Sequence, residues 1–202
     1  RTPEEFGARL MAPLARIEPK VASFFLVTPK APYGVRRLDP RLEGSQTFGY
    51  YDPPTPDEPK GLYYFNGSKL EERTLLWAAG LIAHELVPGH HFQIATGHGL
   101  KGLPLIRQQP IYNAYSEGWA LYAERLAAEI GLYADDPFGD LGRLQAEMFR
   151  AVRLVVDTGL HAKGWSREQA IEYMVGTSGL GESEVTSEVE RYMALPGQAT
   201  AY

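Results

Sequence analysis

The stretch "SKLEERTLLWAAGLIAHELVPGHHFQIATG", residues 68–97, decides the fold. Ser68 followed three residues later by Glu71 has the form of a capping box, and Gly97 is a natural helix stop, so the stretch reads as one long helical segment. From Leu75 to Ala83 it is apolar nearly all round, which places it through the middle of the molecule. Within it lies "HELVPGHH", residues 84–91, where polar side chains interrupt the apolar run. Pro88 cannot donate its backbone hydrogen bond and Gly89 tolerates unusual dihedrals, so the helix is expected to be bulged or broken there.

The rest of the chain is arranged around this segment. Residues 3–26 carry Leu10, Leu14, Ile17, Val21 and Phe24 at helical spacing, with Pro13 and Pro19 breaking the run. Seven prolines between Pro29 and Pro59 predict a stretch that wanders over the surface without regular elements. "GLYYFN", 61–66, is the best strand candidate, read either as a half-buried edge open to an extended peptide or as an aromatic core strand. Further helices are expected at about 112–130, 137–162, from the Ser166–Gln169 cap onward, and 182–194. The second of these carries Leu141, Leu144, Met148, Val152 and Val155 as an apolar stripe. The fold class is therefore mainly α with a small β element. It is read as one unit over 1–202: a helix and Pro-rich surface in 1–60, and a core bearing the site in 61–202. "PGQATAY" begins like a helix and goes nowhere, so the sequence reads as a piece of a longer chain, incomplete at both ends.

Composition narrows the function classes. The 202 residues carry 25 acidic and 20 basic side chains, a formal charge of −5 with no basic run, which argues against a nucleic acid partner. A peptide or small amide fits better. With no cysteine, any metal must take histidine, carboxylate or water ligands. No stretch is apolar enough to span a membrane. Cytoplasm, periplasm and secretion all stay open for the location, as does the oligomeric state.

Three of the five histidines fall within residues 84–91. A His-Glu pair alone is common on ordinary helices, but a histidine cluster on a buried helix needs partners, and a metal satisfies it. A zinc hydrolase needs imidazoles and a carboxylate converging on one ion, plus a carboxylate to take a proton from water. On a regular helix, at about 100° per residue, a partner at i+7 lies about 20° from the first ligand and one at i+6 about 120° away. An unbroken helix would thus pair His91 with His84, whereas a bulge at Pro88–Gly89 swings His90 into place. His90 is favoured, with His91 as the alternative ligand or a supporting contact. A third ligand must come from another helix, where "YNAYSEGWALYAERL" offers Glu117 and Glu124 on one face. Glu117 suits an inward-pointing ligand and Glu124 a partner for an imidazole N–H. Arg153, Asp157 and His161, four residues apart, form a row on one helix face. His161 or Arg153 suits oxyanion stabilisation, Arg191 and Tyr192 a substrate carboxylate, and Tyr202 donation to the reacting carbonyl. The competing readings are an ordinary packed network for the row, a helix-surface pair for Arg191 and Tyr192, and simple packing for Tyr202.

The blocks "HELVPGHHFQ", "YSEGWALYAERL", "RLVVDTGLHAKGWSREQAIEYM" and "RYMALPGQATAY", in that order over roughly the last 120 residues, resemble the bacterial domain of unknown function 885. The resemblance implies a zincin-like helical metallohydrolase, similar in plan to thimet oligopeptidase and Taq carboxypeptidase. By position it makes His84, His90 (or His91) and Glu117 ligands of Zn2+ and Glu85 the general base. Two extra residues separate the histidines relative to those enzymes. The competing expectation is a non-catalytic helical binding or assembly module, its histidines holding a structural metal or a buried polar network.

Overall fold

A computed structural model describes residues 2–45, 48–71, 73–108 and 112–202. They are mainly helical, with one small three-stranded sheet. Residues 1–143 and 144–202 form two compact units.

In the first unit, α1 (Pro3–Met11) starts at a reciprocal cap in which Thr2 Oγ1 accepts from the Glu5 amide and the Glu5 carboxylate accepts from the Thr2 amide. Pro13 separates it from α2 (Leu14–Phe24). Pro19, by contrast, sits inside α2, because it and Ala15, whose carbonyl it leaves without a helical donor, lie on the exposed face where water can serve. The inner faces bury Phe6, Leu10, Leu14, Ile17 and Val21 in a core shared with Tyr63, Phe65, Ile82, Leu86 and Phe92.

The Pro-rich stretch is not irregular throughout. It contains β1 (Tyr33–Arg37) and β2 (Gly49–Asp52), which flank β3 (Gly61–Phe65) in the order β1-β3-β2. Pro32, Pro40 and Pro53 stand just outside the strands, so proline marks their ends and leaves the ladder intact. β3 pairs parallel to β1 and antiparallel to β2, and it buries Leu62, Tyr63 and Phe65. It is the central strand and not the edge its aromatic content suggested, so its backbone has no side open to a peptide.

The long segment 68–97 is also divided. The Ser68 amide and hydroxyl both donate to Asn66 Oδ1, at 2.9 and 2.7 Å, a local turn that competes with helix initiation. Ser68 caps nothing, and α3 begins only at Ala78, running to Glu85. α4 (His90–Gly99), the short α5 (Leu105–Gln108) and α6 (Asn113–Glu129) follow.

α7 (Pro137–Lys163) begins in the first unit and continues in the second, with α8 (Arg167–Ser178) and α9 (Glu182–Ala194) close to their expected positions. The Ser166–Gln169 capping box forms, and Gly179, at φ 70°, ends α8 in the left-handed conformation. Of the stripe that identifies it in the sequence, α7 buries Val152 alone. Leu141, Leu144, Met148 and Val155 are exposed, while Ala146, Phe149, Val152, Arg153, Val156 and Asp157 face inward. No helix among the described residues is long and apolar enough to cross a membrane.

Gly142 brings α7 against the turn before α3: a Cβ there would lie 2.0 Å from the Leu76 carbonyl oxygen. Gly142→Ala should destabilise the first unit by about 1–3 kcal/mol, read as a thermal midpoint several degrees lower by circular dichroism. An unchanged midpoint would show that this approach is not tight.

Candidate metal centre

The helix carrying His84 stops abruptly. The Leu86 amide still bonds to the Ile82 carbonyl at 2.9 Å, then Val87–Pro88 adopts a cis peptide, and α4 restarts with Gly89 as its cap. Only glycine fits there, since a Cβ would sit 1.7 Å from the His84 carbonyl oxygen. The Phe92 amide reaches the Leu86 carbonyl at 3.1 Å, and Trp119 Nε1 donates to the Pro88 carbonyl at 2.9 Å, which ties the break to α6. This folded-back junction delivers His90, and not His91, to His84: the two rings meet edge to face with centroids 4.8 Å apart.

α6 supplies the carboxylates. Glu117 Oε2 lies 3.5 Å from His84 Nε2 and 3.7 Å from His90 Nε2. These are poor hydrogen-bond distances, and the oxygen is buried without a hydrogen-bond partner. They match the separation of about 3.4 Å between donors placed about 2.1 Å from a tetrahedral zinc ion. The three donor atoms lie within 4.8 Å of one another. Two imidazoles and one carboxylate form a set that zinc accepts, so geometry and donor chemistry both fit a cation.

The surrounding groups orient the imidazoles. His84 Nδ1–H donates to Glu124 Oε1 at 2.7 Å, which leaves Nε2 to face Glu117 and His90. Both His84 and Glu124 are buried. Ser116 Oγ stands 3.4 Å from His90 Nδ1. His91 is committed elsewhere: Nε2–H donates to the Ala31 carbonyl at 3.1 Å, so Nδ1 must accept from the Tyr51 hydroxyl at 2.8 Å. Burial lowers its pKa to about 4, consistent with a neutral ring whose nitrogens are both occupied. It stands outside the triad as a structural contact to the sheet. Gly61 makes room for this pair, since a Cβ would lie 2.4 Å from His91 Nδ1 and 2.5 Å from the Tyr51 hydroxyl. Sequence reasoning missed Tyr51, Gly61, Ser116 and Trp119, because no periodicity or motif marks them. Glu85 is half-buried at the end of α3, and its charge reaches His84, Tyr51 and Tyr63.

The second unit holds the remaining candidates. Arg153, Asp157 and His161 lie on one face of α7 but find their partners across the unit. The Arg153 guanidinium donates to Gln198 Oε1 at 2.8 Å and lies 4.4 Å over the Tyr202 ring. Asp157 accepts the Gly197 amide at 3.0 Å, and His161 Nε2–H donates to the Tyr192 carbonyl at 3.0 Å. Arg191 grips Glu188 through both carboxylate oxygens and reaches Gln198 as well, and the buried Tyr192 hydroxyl donates to Glu188 at 2.8 Å. Together these contacts clamp α9 and the segment after it. Glu188, buried at their centre, gave no sequence signal beyond its helix.

Residues 1–202 match the model of the family described as "Bacterial protein of unknown function (DUF885)", and the chain belongs to that family. Among curated proteins none matches. A crystal structure of a "putative lipoprotein" from Colwellia psychrerythraea is similar at 46% identity with a TM-score of 0.94, over 98% of this chain and 34% of that one. A "putative lipoprotein of unknown function" from Shewanella oneidensis shares the fold at 22% identity and a TM-score of 0.67, over 97% of this chain and 37% of that one. The chain thus spans about a third of the length of these solved relatives.

Burial alone would lower the His84 pKa, but the carboxylates of Glu117 and Glu124 facing the ring outweigh it and raise it to about 9. Burial would likewise raise Glu117, yet the facing His84 and His90 hold it well below the carboxylate range. A raised folded-state pKa gives stability that is complete below the unfolded value of 6.5 and is lost as pH rises through about 9. Chelator-treated protein should therefore melt at progressively lower temperature from pH 6.5 to about 9. A flat profile over that window would contradict the protonated His84 pair.

Proposed function

We propose that this member of the DUF885 family is a zinc-dependent hydrolase of peptide or related amide bonds, with His84, His90 and Glu117 holding the cation. The observation that carries this reading is a donor set of three side chains, His84 buried and His90 and Glu117 half-buried, that no fourth donor closes among the described residues. Structural zinc sites take four protein ligands, whereas catalytic ones take three and keep a position for water or substrate. That difference favours a hydrolase over a helical assembly module with a structural metal.

When bound, a zinc ion polarises a carbonyl and acidifies a water molecule. The chain's own residues do the rest. Glu85, directly after His84, takes a proton from the attacking water and passes it to the leaving nitrogen, which departs as an amine. Glu124 keeps the His84 Nδ1 proton, so the ring presents Nε2 in one fixed orientation. The Trp119–Pro88 and Tyr51–His91 bonds hold the α3–α4 junction and the start of α4. The formal charge of −5 supports a peptide or small amide over a polyanion as substrate. The lipoprotein description of the Colwellia relative supports an envelope location.

Metal analysis together with cleavage of a peptide library tests this reading. Wild type should hold about one zinc ion per chain and cleave, while Glu85→Gln should keep its metal and lose activity by about 10²–10⁴-fold. Wild type that stays metal-free after zinc supplementation would sink the proposal. Glu124→Gln should weaken zinc affinity by about 10–100-fold, measured by competition with a chelating dye. Undiminished affinity would remove Glu124 from its orienting role.

A further inference from the structure

The outward face of α7 reverses the usual amphipathic pattern. Leu144, Met148, Ala151 and Val155, all in the second unit, succeed one another at spacings of four, three and four residues, and all four are exposed. Leu144 is 49% exposed, Met148 52% and Val155 39%. Leu154, at 38%, widens the strip, and Glu147 is the one ionisable residue on the exposed face between Leu144 and Val155. The strip is about 16 Å long at 1.5 Å per residue. A contiguous apolar surface of this kind marks an interaction site.

The alternation of three and four residues is the seam geometry with which one helix receives another as knobs into holes. A strand or flat loop would not follow it. The size of the relatives indicates where such a helix comes from. This chain matches 34% of the Colwellia relative at a TM-score of 0.94, so about two thirds of that chain lies outside the shared fold. We propose that the Leu144–Val155 face of α7 is the seat for one amphipathic helix from the part of the family's chain that corresponds to those unmatched two thirds. Its apolar residues interleave with Leu144, Met148 and Val155.

This protein has no cysteine, so a single thiol reports on the seam directly. Met148→Cys in this chain is compared with a cysteine at the aligned position of the full-length Colwellia relative, with labelling rates read peptide by peptide in a mass spectrometer. Ser187→Cys, on the exposed side of α9, serves as control in both proteins. The expected result is rapid labelling of Met148→Cys here, slowing on the order of 100-fold in the full-length relative, with the control fast in both. A photo-crosslinker on the relative's cysteine should also capture residues of its unmatched two thirds at helical spacing. Equal labelling in the two proteins would overturn the proposal, as would slowing at the control. So would slow labelling here that quickens on dilution, because the occupant would then be a second copy of this chain.

Discussion

Burying the His84 imidazole between two carboxylates is the constraint on which the first unit depends. Glu124 stands 2.7 Å behind the ring and Glu117 3.5 Å in front of it, in an otherwise apolar interior. A buried polar group without partners is destabilising by several kcal/mol, so α3 and α6 must hold a register that supplies both. One heptad separates the two glutamates, which keeps them on the same face of α6 and lets a single helix bracket the ring. The junction at residues 86–89 then has one geometric task. It shortens the path between His84 and the next histidine, so that a side chain six residues on reaches a partner that a straight helix would deny it.

Two adjacent histidines take opposite duties because neighbouring positions on a helix point about 100° apart. His90 turns toward Glu117, while His91 turns toward β2 and the carbonyl of Ala31. The sheet thereby becomes part of the site's support. Tyr51 on β2 bonds to His91, and Gly61 at the start of β3 leaves the space in which they meet. The small sheet does not contribute a donor to the triad. It fixes the first turn of the helix that does.

The second unit is organised on another principle. α7 turns Arg153 and Asp157 inward and keeps His161 at the surface, and the three together hold the end of α9 and the residues after it, while Leu144, Met148 and Val155 stay outside. Polar groups are tolerated inside because each finds a carboxylate, amide or carbonyl partner or an aromatic ring.

Local chemistry decided what was legible beforehand. Apolar periodicity located α6 to α9, the Ser166–Gln169 cap set the start of α8, and the Pro88–Gly89 pair announced a break in the helix that carries His84. These features depend on residues within a turn or two of one another, where capping, ring closure and backbone freedom act directly. What the tertiary structure alone decided depends on residues far apart in sequence. The pairing of β1 with β3, the central place of a strand that looked like an edge, and the meeting of His84 and His90 with Glu117 belong to this class. So does the outward turn of α7, because a periodic stripe specifies which residues share a face, but only the packing of other elements decides which face is buried.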